Sequence, residues 1–237
     1  MKNSFVLPEE TDKVDLTKYL ERAQKLDNSG AVRFRAYGDV LTVYVAPIAT
    51  AEFDEHAPMV LGLRTMALAE PAEFDVTVTI SDTLARLQSV ETVEDFSLVK
   101  RLAKVTTKTN QVNLPEDLVE VSWNKETPTR TGWELGGEFD QATLTESARK
   151  GVAEITETLP TSVGGPIAAR VRAEIWGKAI DYKYPVPMGA AFVSAGLGFL
   201  VEGEVVPWYV SGDWVRLSAL NGHVLAKFAY DYVSMNS

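Results

Sequence analysis

The chain has 237 residues, a formal net charge of −10 at pH 7, 46% hydrophobic residues, two histidines and no cysteine. Without cysteine it has no thiolate nucleophile, no disulfide and no cysteine-ligated zinc or iron–sulfur cluster. His56 and His223 stand in unrelated local sequences, so we expect no histidine-based metal site and no cofactor. The hydrophobic content is sufficient for a core. The sequence has no lysine-rich start followed by an apolar stretch, so we expect no signal peptide. We therefore expect a cytoplasmic protein.

The first part of the sequence predicts a helix and a hairpin. Thr11 or Asp12 can cap a helix that runs to about Asp27, with an apolar stripe along one face. The segments 31–37 and 40–46 read as strands, and Gly38-Asp39 between them favours a tight hairpin turn.

Two further strands and a short helix are predicted next. The segment 60–69 is apolar at nearly every position, which is typical of a strand buried on both faces. Apolar residues alternate with polar ones over 75–80, which indicates a half-exposed strand. Ser81 can then cap a short helix that ends at Gln88.

The stretch from about 91 to 130 has no sustained period and contains two prolines. We interpret it as a boundary between lobes or a long surface excursion. It holds the one candidate basic patch, formed by Lys100, Arg101, Lys104 and Lys108. Because no aromatic residues interleave with these side chains and the protein is acidic, we interpret them as a solvated face and expect no nucleic-acid partner.

The second half predicts two helices. One begins at Asp140 and runs to Leu159, and it contains Gly151, whose cost in helix propensity suggests that another backbone passes close by. The other begins at Pro166, after two glycines, and ends near Trp176. The long uncharged run 184–201 contains prolines and glycines and is read as buried core, so no membrane partner is expected.

The last third predicts a three-stranded meander over 205–210, 214–220 and 223–230. The turns are Ser211-Gly212-Asp213 and Asn221-Gly222, and the second is a strong type I′ hairpin signal. Together these elements predict an α+β fold, with antiparallel-rich sheets and about three main helices. The chain is expected to be one integral unit, with an N-terminal lobe at 1–110 and a C-terminal lobe at 131–237.

Six residues are the candidate ligand-binding set: Trp133, Glu134, Glu138, Arg172, Trp176 and Arg216. Closely spaced carboxylates can act as an acid–base pair or hold a hard cation, although the helix macrodipole also favours acidic residues at this position. Arg216 could pair with Asp213 or Glu204, or it could bind an acidic ligand. No catalytic residue is assigned.

Short segments along nearly the whole chain carry a resemblance to known proteins: Phe5-Val6-Leu7-Pro8, Leu61-Gly62-Leu63-Arg64, Leu68-Ala69-Glu70-Pro71, Gly132-Trp133-Glu134, Gly189-Ala190-Ala191-Phe192, Leu197-Gly198-Phe199-Leu200, the segment 211–218 and Gly222-His223-Val224-Leu225. They are similar to a family of uncharacterised actinobacterial proteins. The resemblance implies one integral unit and supplies no activity, cofactor or catalytic residue.

Two functions remain open on this sequence. The first is a cytoplasmic binding or interaction protein without catalytic activity, because every candidate site also has a structural explanation. The second is an enzyme that uses carboxylate and arginine chemistry on a small molecule, with the candidate residues converging beside Trp133 or Trp176. The expected partners are a second copy of the chain, through the small-residue segment 189–200 or the meander, and a small-molecule ligand.

Overall fold

Six antiparallel strands form one sheet that draws on both halves of the sequence. The computed structural model describes residues 3–49, 58–88, 110–125, 128–159, 164–181 and 184–227. The strand order in this sheet is β2-β3-β10-β9-β8-β5. Its members are β2 (Ala31–Ile48), β3 (Met59–Thr79), β5 (Glu134–Asp140), β8 (Val205–Ser211), β9 (Trp214–Ala219) and β10 (Gly222–Lys227).

Two small ladders and five helices complete the described part of the chain. The ladders pair β1 (Ser4–Val6) with β4 (Gln111–Asn113) and β6 (Ala179–Asp181) with β7 (Tyr184–Pro187). The helices are α1 (Glu10–Leu26), α2 (Ile80–Gln88), α3 (Gln141–Thr158), α4 (Gly165–Gly177) and α5 (Met188–Gly196). The predicted α+β class is confirmed, and the C-terminal meander is formed by β8, β9 and β10.

The hairpin predicted at Gly38-Asp39 is wrong, because β2 continues through these residues as a single strand. Gly38 has a φ of 59°, and the pairing with β3 shifts register between Gly38 and Val40. Gly38 pairs with Ala72 and Val40 with Ala67, so the extra residues at this irregularity lie on β3, and Gly38 supplies the left-handed backbone conformation opposite them. The Gly38-Asp39 pair, which suggested a turn, therefore lies at an irregularity within one long strand. Its partner β3 is likewise one strand, and it is not buried on both faces, since Thr65 and Ala67 are exposed.

The three predicted main helices correspond to α1, α3 and α4, and the predicted short helix is α2. The sequence did not predict α5, which is apolar or small all round and so shows no amphipathic period. The segment 189–200, proposed as a subunit contact, lies largely in the core, where Ala190, Ala191 and Val193 are fully buried.

A close approach between α3 and α4 explains the glycine within α3. A Cβ atom at Gly151 would lie 2.3 Å from the Trp176 ring. That ring stacks on Phe192 of α5, with 4.3 Å between the ring centroids. The glycine therefore makes room for an indole ring, whereas the sequence suggested a neighbouring backbone.

The sheet has a helix face and an outer face, and strand β9 defines both. Val215 and Leu217 point into the main core, where helices α1, α3 and α5 pack. Trp214 belongs to a second cluster on the opposite face, which we call the outer face. Alternation along a strand places Arg216 and Ser218 on the outer face with Trp214. Among the described residues, no helix combines the length and apolar character needed to cross a bilayer.

Candidate ligand-binding site on the outer face of the sheet

A covering segment, residues 119–125 and 128–133, packs on the outer face. Trp123 is only 6% exposed and joins a cluster with Ala46, Met59, Leu61, Trp214 and Leu225. The Val119 amide donates to the Thr77 carbonyl oxygen at 3.0 Å, and Asn124 Nδ2 donates to Thr77 Oγ1 at 2.6 Å. These contacts fix the first part of the covering segment against β3.

The second part of the covering segment positions Trp133. Thr129 and Ser211 hydroxyls are hydrogen-bonded at 3.0 Å, and Trp133 Nε1 donates to the Thr129 carbonyl oxygen at 2.9 Å. The Arg130 guanidinium lies over the Tyr37 ring, 5.6 Å from its centroid. Trp133 therefore has a fixed orientation before any ligand is present.

Arg216 lies between two aromatic rings. Its guanidinium carbon is 4.7 Å from the centroid of the Trp133 ring and 4.7 Å from that of the Tyr209 ring. Tyr209 is the cross-strand partner of Arg216, and Trp133 comes from the covering segment. Two cation–π contacts hold the guanidinium plane in place.

Arg216 has no acidic partner among the described residues, although Asp213 and Glu204 were both considered for that role. Asp213 pairs with Lys227 at 3.2 Å. Glu204 accepts hydrogen bonds from the backbone amides of Val201 at 3.0 Å and Leu220 at 2.5 Å. Burial lowers the pKa of Arg216, and no carboxylate offsets that effect. A partly buried cation without a counter-ion is unusual in a protein with a net charge of −10.

Ser218 and His223 lie beside this arginine on the outer face. They face each other directly across the β9–β10 ladder. Ser218 Oγ, His223 Nδ1 and Arg216 Nε are all buried and have no hydrogen-bond partner among the described residues. Burial, and secondly the charge of Arg216, lowers the pKa of His223 below its ordinary value. Buried polar atoms normally have partners, so these three orphan atoms leave hydrogen bonds that water or a ligand would complete.

The structure brings together only part of the candidate set predicted from sequence. Trp133 and Arg216 are in contact. Trp176 packs with Phe192 on the helix face of the sheet, and Arg172 is exposed on α4. Glu134 and Glu138 are exposed on the edge strand β5, where they pair in register with Val210 and Pro207.

The candidate set predicted from the sequence did not include Tyr209, Ser218 or His223, and the His223 side chain is half-buried. The predicted turn at Asn221-Gly222 is displaced by one residue: Gly222 pairs with Ala219, so Leu220 and Asn221 form the two-residue loop, and Gly222 has no positive φ. A type I′ loop at Asn221-Gly222 would have placed Leu225 opposite Ser218, whereas the observed register places His223 there. His56 and the basic residues Lys100, Arg101, Lys104 and Lys108 lie outside the described residues.

Both halves of the chain match domains of unknown function. Residues 1–108 match the family model described as Domain of unknown function (DUF8010), and residues 128–230 match Domain of unknown function (DUF8185). These matches agree with a resemblance to uncharacterised proteins. No curated protein matches the chain by sequence.

Solved structures of sliding clamps resemble the chain over nearly its whole length. DNA polymerase III subunit beta from Borrelia burgdorferi, solved with a natural product, has a TM-score of 0.52 at 8% identity and covers 99% of this chain and 68% of that one. A putative DNA polymerase III beta subunit from Eubacterium rectale has a TM-score of 0.50 at 9% identity, with 95% and 64% covered. The Caulobacter crescentus DNA polymerase sliding clamp is also similar, with a TM-score of 0.45, 12% identity and 100% and 69% covered.

The likeness identifies the fold as that of the beta subunits, and the chain spans about two thirds of their length. It also contradicts the expectation of no nucleic-acid partner, because the proteins that share the fold are subunits of a DNA polymerase. That expectation rested on the net charge, which averages over the whole surface. Helices α1 to α4, which we call the helix layer, carry nine basic and nine acidic side chains. The helix layer is therefore neutral, although the protein as a whole is acidic.

Proposed function

We propose that this protein is a non-catalytic interaction protein that uses a sliding-clamp fold as a rigid platform and binds a partner on its outer face. The observation that carries the proposal is the Trp133–Arg216–Tyr209 stack, an oriented cation without an acidic partner among the described residues. Arginine and aromatic residues are the types that dominate binding energy at protein surfaces. The exposed Leu135, which pairs in register with Tyr209, adds apolar area beside the stack.

The enzyme alternative has less support. It requires Glu134, Glu138, Arg172 and Arg216 to line one pocket. The two glutamates are exposed on an edge strand, and Arg172 belongs to the helix layer. Arg216 therefore has neither proposed carboxylate as a partner, and the acid–base arrangement that such chemistry needs is not assembled.

Site-specific photo-crosslinking in cells tests the proposal. A photoreactive amino acid replaces Leu135 on the outer face or, as a matched control, Ile167, which is 63% exposed on α4. We expect a discrete crosslinked partner from position 135 that is lost in an Arg216→Ala background and absent from position 167. If position 135 gives no crosslink, or a crosslink that is unaffected by Arg216→Ala, the outer face is not the interaction surface.

A second candidate is association of the helix layer with DNA. It is favoured by the fold shared with DNA polymerase III beta subunits and by the neutral charge of α1 to α4. Fluorescence anisotropy with duplex DNA tests it, since contact with phosphates makes the affinity fall as salt concentration rises. Binding without salt dependence, or no binding at low salt, would reject this candidate.

We also propose that the chain forms a homodimer, acts in the cytoplasm and is of actinobacterial origin, like the family that it resembles. Strands β2 and β5 are the outermost strands of the large sheet, and a free strand edge favours pairing with a second copy. Pairing of β3 with β10 supports one integral unit with lobes at 1–110 and 131–237. Light scattering at high micromolar concentration that gives the mass of a monomer would contradict the dimer.

A further inference from the structure

We propose that Arg216, Ser218 and His223, between the rings of Trp133 and Tyr209, form a binding site for a carboxylate group. The inference rests on the proposed function, because it identifies the chemistry that the outer face recognises.

The two rings restrict how a ligand can approach Arg216. The guanidinium carbon lies 4.7 Å from the centroid of each ring, so two sides of the group adjoin aromatic carbon. The in-plane N–H groups are the donors that a ligand can use. A planar carboxylate matches these N–H groups with two parallel hydrogen bonds. Arg216 Nε, which is buried and has no partner among the described residues, is one of these donors.

The other two orphan atoms complete the site. Ser218 Oγ and His223 Nδ1 are buried and lie on directly paired residues of β9 and β10. Leu225 faces Arg216 in the same ladder, so the arginine and the histidine are neighbours along one strand pair. A hydroxyl donates to a carboxylate oxygen, and a neutral imidazole protonated at Nδ1 does the same. One carboxylate can therefore satisfy groups that the protein leaves without partners.

The local charge favours a monoanion over phosphate. Arg216 is the cation at the centre of the site and has no acidic partner among the described residues, whereas Lys227 on β10 is paired with Asp213. His223 has a lowered pKa and is neutral at pH 7. A single positive charge balances one carboxylate but not a phosphate dianion, and the net charge of −10 adds repulsion.

The carboxylate can belong to a small molecule or to the end of a peptide chain. Leu135, 68% exposed and paired with Tyr209, indicates that an apolar group adjoins the carboxylate in either case. Isothermal titration of the full-length protein with four probes separates these sources. The probes are hexanoate, inorganic phosphate, a short peptide that ends in leucine with a free carboxylate, and the same peptide amidated.

We expect hexanoate or the free peptide to bind, and phosphate and the amidated peptide to bind at least about tenfold more weakly, since a charge-assisted bidentate pair is lost. Arg216→Gln should reduce carboxylate binding by a similar factor, whereas Arg172→Gln on α4 should leave it unchanged. Tighter binding of the peptide than of hexanoate assigns the ligand to a chain terminus, and equal binding assigns it to a small molecule.

Two further variants keep the proposal testable if Arg216→Gln does not fold. Arg216→Lys retains the charge but removes the planar fork, and Ser218→Ala removes one donor, so both should weaken carboxylate binding. The proposal is overturned if phosphate binds as well as the carboxylates, if no carboxylate binds, or if binding is unaffected by all three variants. If position 135 gives an Arg216-dependent crosslink but no carboxylate binds, the proposed interaction surface is retained and only the proposed carboxylate site is rejected.

Discussion

Arg33 donates two hydrogen bonds to Asp75, from Nε to Oδ1 and from Nη2 to Oδ2, each 2.7 Å long. Its Nη1 also donates to the Asn124 carbonyl oxygen at 3.3 Å. One side chain thus joins β2, β3 and the covering segment on the outer face. The pair orders the platform next to the proposed binding site. Loss of this ion pair should therefore lower the stability of the fold.

Replacement of Asp75 by asparagine should lower the free energy of unfolding by about 1 kcal/mol at pH 7, because the bidentate pair is partly exposed and screened by solvent. The hydrogen bonds from Arg33 hold the pKa of Asp75 below its usual value. A depressed carboxyl pKa stabilises the folded state above the unfolded value, near 3.9, and this contribution disappears as the pH falls through the folded pKa. Urea unfolding of Asp75→Asn and wild type should therefore converge in acid. Glu73→Gln, at an exposed position on the same strand, is the control and should change little.

His223 should make the free energy of unfolding depend on pH in a higher pH range than Asp75 does. Its pKa is lowered by burial and by Arg216, so the unfolded state binds a proton more readily than the folded state. The stabilisation is present above the unfolded pKa, near 6.5, and is lost as the pH falls from 6.5 towards the folded pKa. Denaturation of wild type at pH 7.5, 6.5 and 5.5 should show this loss, and His223→Gln should remove it. In a His56→Gln background His223 is the one histidine, so its imidazole NMR signal reports the pKa directly; a value at or above 6.5 would contradict the prediction.

Gly151→Ala should destabilise the protein by roughly 1–3 kcal/mol, because the added methyl group must displace a buried indole ring. The Cβ position lies 2.3 Å from Trp176, and the ring itself is fixed against Phe192. Gly165→Ala is the matched control, since that helical position has open space around its Cβ. Thermal unfolding should place the control at or above wild type and Gly151→Ala clearly below. Equal melting temperatures for both variants would show that the helices separate without cost.

Removal of the indole from the stack should release Arg216 without unfolding the protein. In Trp133→Ala the guanidinium keeps Tyr209 on one side but loses the second ring, so one cation–π contact of about 0.5–1 kcal/mol is lost. Carboxylate binding should weaken because the arginine is no longer held in one plane. Trp123→Phe, in the buried outer cluster, tests general loosening of the covering segment. If it weakens binding as much as Trp133→Ala, the stack has no specific role.

The sequence predicted local elements well and long-range placement poorly. The three main helices follow from caps and periodicity, which act over a few residues, whereas the hairpin turn predicted at Asn221-Gly222 is displaced by one residue to Leu220-Asn221. Gly38 was misread because a glycine with positive φ serves a turn and a bulge equally well. Helix α5 was missed because a helix buried on all sides has no polar stripe.

The same contrast between local elements and long-range placement applies to the candidate site. Arg216 opposite Tyr209 follows from the Gly212-Asp213 turn, but Ser218 opposite His223 does not follow from the predicted Asn221-Gly222 turn, because the observed loop begins one residue earlier. The contact of Trp133 with Arg216 depends on how the covering segment docks on the outer face, which no local rule determines. Trp176 shares the residue type but packs among helices, and composition alone could not separate the two tryptophans.

The pairing of β3 with β10 has a consequence for synthesis of the protein in the cell. Residues Met59 to Leu63 pair with Lys227 to His223, so a strand edge that is synthesised early must wait for a partner that is synthesised much later. During that interval the edge carries unpaired amides and carbonyls beside apolar side chains, an arrangement that invites aggregation. Chaperone dependence and slow folding are the expected costs of a sheet closed between distant parts of the chain.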